Sequence, residues 1–419
     1  MIGKLRRKMA LKEENGKRTS WFYTCMGLIG VLSCSVMIPS TVLSQANFNV
    51  KLEKALEKEF VKSGIPGCAV TIVNKDGIVF QKALGYADLK QKIPFDPFKT
   101  TMTIASVSKT FIAVALMKAI ELGYFTLETP INEILPFKVS NPYFPKDTIR
   151  IRHLVTHTSG IIDNDSIYSK TYQFLINDST ESSSLALIRE AGFKGGLKDT
   201  SLGGFMTSYL EKNGNLYSKS NFYRSRAGKQ YSYSNIASAL AAYLVEIKSR
   251  QSFAAFTQQY IFKSLGMMKA SWFTNPHDLS NRAIPYYTAD TCLPFYTLIT
   301  YPDGGLICSA AELSLFVQEM IKTRNGSSSL LNKIQSKQLF KPFFTENDKI
   351  INYNLREYNN SVFWELYPDG FNGHTGGDPG VSTFIYFNQD LGIVFMGNQY
   401  IDTEGFEKIL KEYVGKFTK

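Results

Sequence analysis

Hydrophobic positions follow one rhythm at the two ends of the chain and another in its middle. After Asn47, residues Leu52, Ala55, Leu56 and Phe60 recur on one helical face and Gly64 stops the run, which predicts an amphipathic helix. Ala69–Val73 is apolar and β-branched, 74–77 reads as a turn, and Ile78–Phe80 starts a returning strand. The far end repeats this pattern. Ser382–Phe387 reads as a strand, 388–392 as a turn and Ile393–Met396 as a second strand. A closing amphipathic helix then runs through Phe406, Ile409, Leu410, Tyr413, Val414 and Phe417. Between the ends, from about 105 to 290, helical stretches alternate with long polar loops, the densest being Ile162–Ser184. The pattern predicts an α/β (α+β) architecture: an antiparallel sheet built from both termini and flanked by helices, with a mainly helical region inserted. The sheet part takes about 47–104 and 291–419, and the helical part about 105–290.

The first 46 residues follow a different logic. No charged residue occurs from Thr19 to Val50, and Met26–Ile38 is a strongly apolar core behind a basic leader. Ser44-Gln45-Ala46 suits signal peptidase and would give a mature start at Asn47. Two other readings stay open. Trp21–Leu43 is long enough to serve as an uncut membrane anchor, and Val31-Leu32-Ser33-Cys34 resembles a lipoprotein cleavage site. All three export residues 47–419, to a periplasmic or secreted location.

Composition narrows the function classes. In 419 residues, 44% are hydrophobic and 20% charged, which fits a globular chain with a large core. Of the +11 net charge, residues 1–46 hold seven basic and two acidic side chains, leaving +6 for the other 373 residues. That surplus is too dilute for a phosphate-binding stripe, so no nucleic-acid partner is expected. The five cysteines form no CxxC, and four histidines leave little material for a metal centre. Beyond the leader, Cys68, Cys292 and Cys308 allow at most one disulfide.

Three short clusters carry chemistry. Ser106 and Lys109 stand one helical turn apart at the head of a segment, Phe111–Ile120, that is apolar nearly all round. A lysine there is desolvated and sits at the positive end of a helix. Both favour the free amine, which can take a proton from a serine hydroxyl. The ordinary reading of the same pair is an N-cap serine and a snorkelling lysine. Tyr233 and Asn235 lie just before the helical run Ile236–Val245. A phenol beside an amine can act as a base, and an amide can hold a substrate amide; a tyrosine-rich loop is the plain alternative. His374-Thr375-Gly376-Gly377 precedes the strand at Ser382, where the glycines permit close approach of a ligand to an edge strand and His374 and Thr375 can meet an anionic group.

In this order, Ser-x-x-Lys, Tyr-x-Asn and His-Thr-Gly resemble the penicillin-recognising serine hydrolases, in particular the family of class C β-lactamases, DD-peptidases of the same type and related esterases. Gly64–Val70, Leu154–Gly160, Gly304–Leu306 and Ser309–Leu313 are similar to further stretches of that family, over nearly all of 47–419. The resemblance implies a β-lactamase-like fold and acyl transfer through an acyl-enzyme on Ser106. By the same resemblance Lys109 keeps the serine and tyrosine poised, and Tyr233 is general base and then proton donor. Asn235 orients the substrate, His374, Thr375 and Gly376 contact it, and the N–H groups of Ser106 and Gly377 form the oxyanion hole. No metal or organic cofactor is implied. The expected partner is a small-molecule or peptide substrate (a D-amino-acid peptide, a β-lactam or an ester), with membrane contact only through the N-terminal segment. A carboxylic ester hydrolase and a non-catalytic cell-wall or partner-binding homologue are the competing readings.

Histidine at 374 departs from the lysine usual in the family's efficient β-lactamases and looks more like its peptidases. An unperturbed imidazole titrates near pH 6.5, so carboxylate recognition is expected to strengthen as pH falls through that value. His153 and His157 stand at i and i+4, but Leu154 replaces the Glu of a zincin motif, and both are read as structural.

Overall fold

The patterned ends of the chain come together in one sheet. The computed structural model describes residues 40–175, 182–198, 200–274 and 278–417. The apolar leader core Met26–Ile38 lies outside the described residues, as does the middle of the polar loop, 176–181. Helix α1 (Ser40–Ser63) is followed by strands β1 (Gly67–Asn74), β2 (Ile78–Asp88) and β3 (Ile93–Pro94). Strands β4 (Asn359–Asn360), β5 (Glu365–Leu366), β6 (Asn372–Asp378), β7 (Val381–Phe387) and β8 (Leu391–Gly397) come from the other end. Their order is β4-β5-β6-β7-β8-β1-β2-β3, with every neighbouring pair antiparallel. The first and last thirds of the chain meet at β1 and β8, where Val70 lies opposite Phe395.

The sheet is buried on both faces, so its central strands read as continuous apolar runs. On one face α1 and the closing helix Glu404–Phe417 pack Leu52, Leu56, Phe406, Leu410 and Val414 onto Val70, Phe384 and Phe395. On the other face lie helices α2 (Ser108–Glu121), α3 (Asn235–Ser249) and α4 (Ala310–Arg324). Phe111 of α2 stacks on Phe316 of α4 with ring centroids 3.8 Å apart. Every residue of α2 from Ser108 to Met117 is buried, as its all-round apolar pattern requires. Helix α4 starts at a capping box in which Ser309 Oγ accepts from Glu312 N and Glu312 Oε2 accepts from Ser309 N.

The inserted region is less purely helical than its pattern predicts. Tyr172–Phe174 within it pairs with Tyr296–Leu298 beyond it, and just outside it Thr101–Thr103 pairs with Ile307–Ser309. These strands are only three residues long, too short for a period to show. His374–Gly377 lies within β6 rather than in a turn before a strand. Because β5 pairs only with Asn372 and Gly373, the rest of β6 borders the cleft like an edge. Among the described residues no helix is long and apolar enough to cross a membrane, and no disulfide joins Cys68, Cys292 and Cys308 to one another.

Candidate active site

Ser106 sits in a single 3-10 turn, Ala105–Val107, that runs directly into α2. Ala105 has φ +48°, a left-handed conformation that costs an L-residue roughly 1–2 kcal/mol. The turn is held by its neighbours. Ile104 N donates to Leu306 O at 2.8 Å and Thr383 Oγ1 donates to Ile104 O at 2.7 Å. Gly376 lets β6 press against this turn: a Cβ there would lie 2.6 Å from Ile104 O and 3.2 Å from Ser106 N. A Cβ at Gly377 would lie 2.5 Å from the Tyr400 ring. The main chains of Ser106 and Gly377 therefore flank the same cleft.

Lys109 is wholly buried. Its Nζ lies 3.1 Å from Ser106 Oγ, 2.7 Å from Asn235 Oδ1 and 2.6 Å from the Asp303 carbonyl. The last two atoms can only accept. A neutral amine has two N–H donors, one for each, and its lone pair then faces the serine hydroxyl. Burial lowers the Lys109 pKa to about 8, although Asp303, Asp163 and Asp378 pull it upward.

Tyr233 completes the cluster. Its ring lies 5.0 Å from Lys109 Nζ and stacks on His157 at 4.5 Å. Burial holds its phenol well above the usual tyrosine range, and the nearby Ser106 hydroxyl only partly offsets this. The proton thus leaves Lys109 more readily than Tyr233. His157 Nδ1 accepts from Ser234 N at 3.2 Å, and His153 Nδ1 from Arg150 N at 3.1 Å. Both histidines hold loop backbone, as the sequence reading expects.

Asn235 is anchored on both sides. Its Oδ1 accepts from Lys109, while its Nδ2 donates to Asp163 Oδ2 at 2.9 Å, leaving one N–H for a ligand. Asp163 also accepts from the main chain of Asn235 and Ile236 and from Ser234 Oγ, so one carboxylate fixes the N-terminus of α3. Nothing in residue spacing marks Asp163; its only signal is its place in the polar loop. Tyr168 and Tyr172 of the same loop, and Phe193 beyond the helix Ser182–Glu190, line the cleft with Asp303 and Asp378. Those two acids adjoin motifs that were read, Gly304-Gly305 and Gly376-Gly377, and were themselves missed.

His374 behaves differently from its sequence expectation. The residue is 4% exposed; its ring is centred 6.5 Å from that of Tyr233, and its Nδ1 lies 2.7 Å from the Thr375 carbonyl. Burial, with Lys109 nearby, lowers its pKa to about 4. It is neutral at and well below pH 7, so His374 does not supply the expected gain in carboxylate binding near pH 6.5. Thr375 is exposed on β6.

A profile described as beta-lactamase matches residues 53–409, and the chain belongs to that family of serine hydrolases. Penicillin-binding protein 4* of Bacillus subtilis (strain 168) is 24% identical over 365 residues, covering 81% of this chain and 70% of that protein. Protein flp of Staphylococcus aureus (strain NCTC 8325 / PS 47) is 22% identical over 369 residues; the match covers 83% of this chain but only 62% of the longer relative. Among solved structures, the D-alanine carboxypeptidase AmpC from Burkholderia cenocepacia superposes with a TM-score of 0.64 at 20% identity, over 88% of this chain and 99% of that one. The fold is thus β-lactamase-like, with the sheet built from both termini.

Proposed function

We propose that the chain is an exported serine hydrolase that forms an acyl-enzyme on Ser106 and acts on a D-amino-acid peptide, amide or related ester. The observation that carries this reading is the Lys109 amine, buried, lowered in pKa and 3.1 Å from Ser106 Oγ. In the first step Lys109 takes the hydroxyl proton as Oγ bonds to the substrate carbonyl carbon. In this reading the N–H groups of Ser106 and Gly377, whose residues line the same cleft, receive the developing oxyanion. The C–N or C–O bond then breaks, and the leaving group takes a proton relayed from Lys109 through the Tyr233 phenol. Water resolves the acyl-enzyme by the same route in reverse. Lys109 is the base in this scheme and Tyr233 the relay, which exchanges the roles that the resemblance alone implied. The names of the relatives, a penicillin-binding protein and a D-alanine carboxypeptidase, support a peptide-like substrate. Residues 1–46 support export.

An ester substrate is the second reading, favoured by one observation: His374 offers no positive charge to a substrate carboxylate. Labelling the full-length protein with a fluorophosphonate or penicillin, followed by mass spectrometry, tests the acyl-enzyme. An adduct on Ser106 is expected, and its absence from folded protein would favour a non-catalytic binder. Turnover of D-Ala-D-Ala peptides, a nitrocefin-type lactam and short acyl esters then separates the substrate classes.

A further inference from the structure

Beside the Ser106 hydroxyl lies a cavity of about 30 Å³ walled by Tyr168, Tyr172, Asn235, Asp303 and Asp378. One water-sized group fills such a volume. The charged part of its lining is acidic. Asp303 is 1% exposed; its Oδ1 accepts from the Tyr168 hydroxyl at 3.2 Å, and its Oδ2 has no hydrogen-bond partner. Burial raises the Asp303 pKa to about 7; Lys109 and the nearby Thr300 hydroxyl, which does not complete a hydrogen bond, offset this only in part. Asp378, 6% exposed, accepts from the Tyr172 hydroxyl at 2.7 Å. Lys109 attracts the Asp303 carboxylate but donates its hydrogen bond to that residue's main-chain carbonyl, so it does not occupy Oδ2. An open carboxylate oxygen in a buried cavity is costly until a donor arrives, and a cationic donor satisfies it best. A substrate carboxylate would be repelled there.

Position decides which part of a substrate is meant. The cavity adjoins Ser106 and Gly377, the atoms that hold the acyl group, and Tyr233 is not part of its wall. A small group two bonds from the scissile carbonyl carbon falls within its reach. We propose that the cavity is the subsite for a free α-ammonium on the acyl half of the substrate, seated on Asp303 Oδ2 with Asp378 beside it. The preferred substrates are then unblocked aminoacyl amides and esters, not N-acylated ones. This rests on Ser106 being the residue acylated.

The test uses the full-length protein with D-alanyl-4-nitroanilide, its N-acetyl counterpart and 4-nitrophenyl acetate. The unblocked anilide should have a kcat/KM higher by about tenfold or more, the scale of a charge-assisted hydrogen bond. In Asp303→Asn that ratio should fall to about one. Asp378→Asn is the second variant should the first fail to fold, and it should lower the ratio in the same direction. Without any substitution, methylammonium should inhibit acetate-ester turnover competitively, while the bulkier tetramethylammonium should not. An N-acetyl anilide cleaved as well as the free one, or a ratio untouched in folded variants, overturns the subsite while ester turnover still upholds the acyl-enzyme. If the ester too is untouched and Ser106 stays unlabelled, the acyl-enzyme itself fails.

Discussion

The two faces of the central sheet are built from opposite materials. Beneath α1 and the C-terminal helix the packing is mainly apolar, apart from Tyr386, whose hydroxyl donates to Glu407: Phe395 lies between Phe384 and Phe406, at 4.9 and 4.8 Å, and all three are fully buried. The other face carries a comparable apolar core but opens at one end onto Lys109, Asp303, Asp378, His157 and His374, all buried ionisable groups. Each has its pKa moved by desolvation before anything else. Ala105 adds a strained backbone at the same end. The contrast teaches where each face puts its free energy. One contributes stability by burying apolar area; the other holds polar groups out of water, where their charge states are easily shifted.

The comparison can be broken by substitutions whose effects should separate cleanly. Ser106→Ala should give the largest change, a loss of turnover of about 10⁴-fold or more for any ester the protein cleaves. Its thermal midpoint should hardly move, since a hydroxyl at the cleft is lost without a cavity. Retained hydrolysis would contradict the nucleophile assignment. Lys109→Met should follow, with a loss of about 10²–10⁴-fold. It removes a buried amine but leaves Asn235 Oδ1 and the Asp303 carbonyl without their donor, so the stability effects offset within about 2 kcal/mol. Phe395→Ala on the opposite face should do the reverse. It should lower unfolding free energy by roughly 3–5 kcal/mol in a denaturant titration, with turnover per folded molecule unchanged. A Phe395 variant with normal stability and crippled chemistry would show that the two faces are not separate.

The same division explains what could be read from the chain. The dry face was legible because burial there imposes periods. Leu52, Leu56 and Phe60, and later Phe406, Leu410 and Val414, mark both helices, and β1, β2, β7 and β8 differ from expectation only at their ends, whereas β3 to β6 carry no such period. The Ser106 turn was legible because a serine and a lysine one turn apart on an apolar helix are chemically unusual. The acids were not. Asp163 acts through four hydrogen bonds to the start of α3, and those contacts span more than seventy positions. Asp303 and Asp378 matter through burial, which is decided by Tyr168, Tyr172 and Tyr296 from distant segments. The charge state of His374 was misjudged for the same reason: its residue type is visible in sequence, but its enclosure beside Lys109 is not.

The smallest effect sharpens the comparison most, because it concerns one proton. In the proposed scheme, acylation by an ester with no ionisable group needs the Lys109 amine in its neutral form. The folded pKa is lowered to about 8, so the competent fraction grows as pH rises. The rate should increase nearly tenfold per unit up to about pH 7 and level off about one unit above the midpoint. His374, with its pKa at about 4, and His157, held well below the usual imidazole range, add no limb near neutrality. Asp303 and Asp378 titrate near 7 because burial raises them. Their ionisation places negative charge beside Lys109, which retains its proton longer as a result. Asp303→Asn should therefore move the midpoint of the pH–rate profile downward, by up to about one unit if the attraction is of ordinary buried strength. An upward move would contradict the attraction between the two groups. A profile flat from pH 6 to 9 in the unaltered protein would remove Lys109 as the base and return that role to Tyr233.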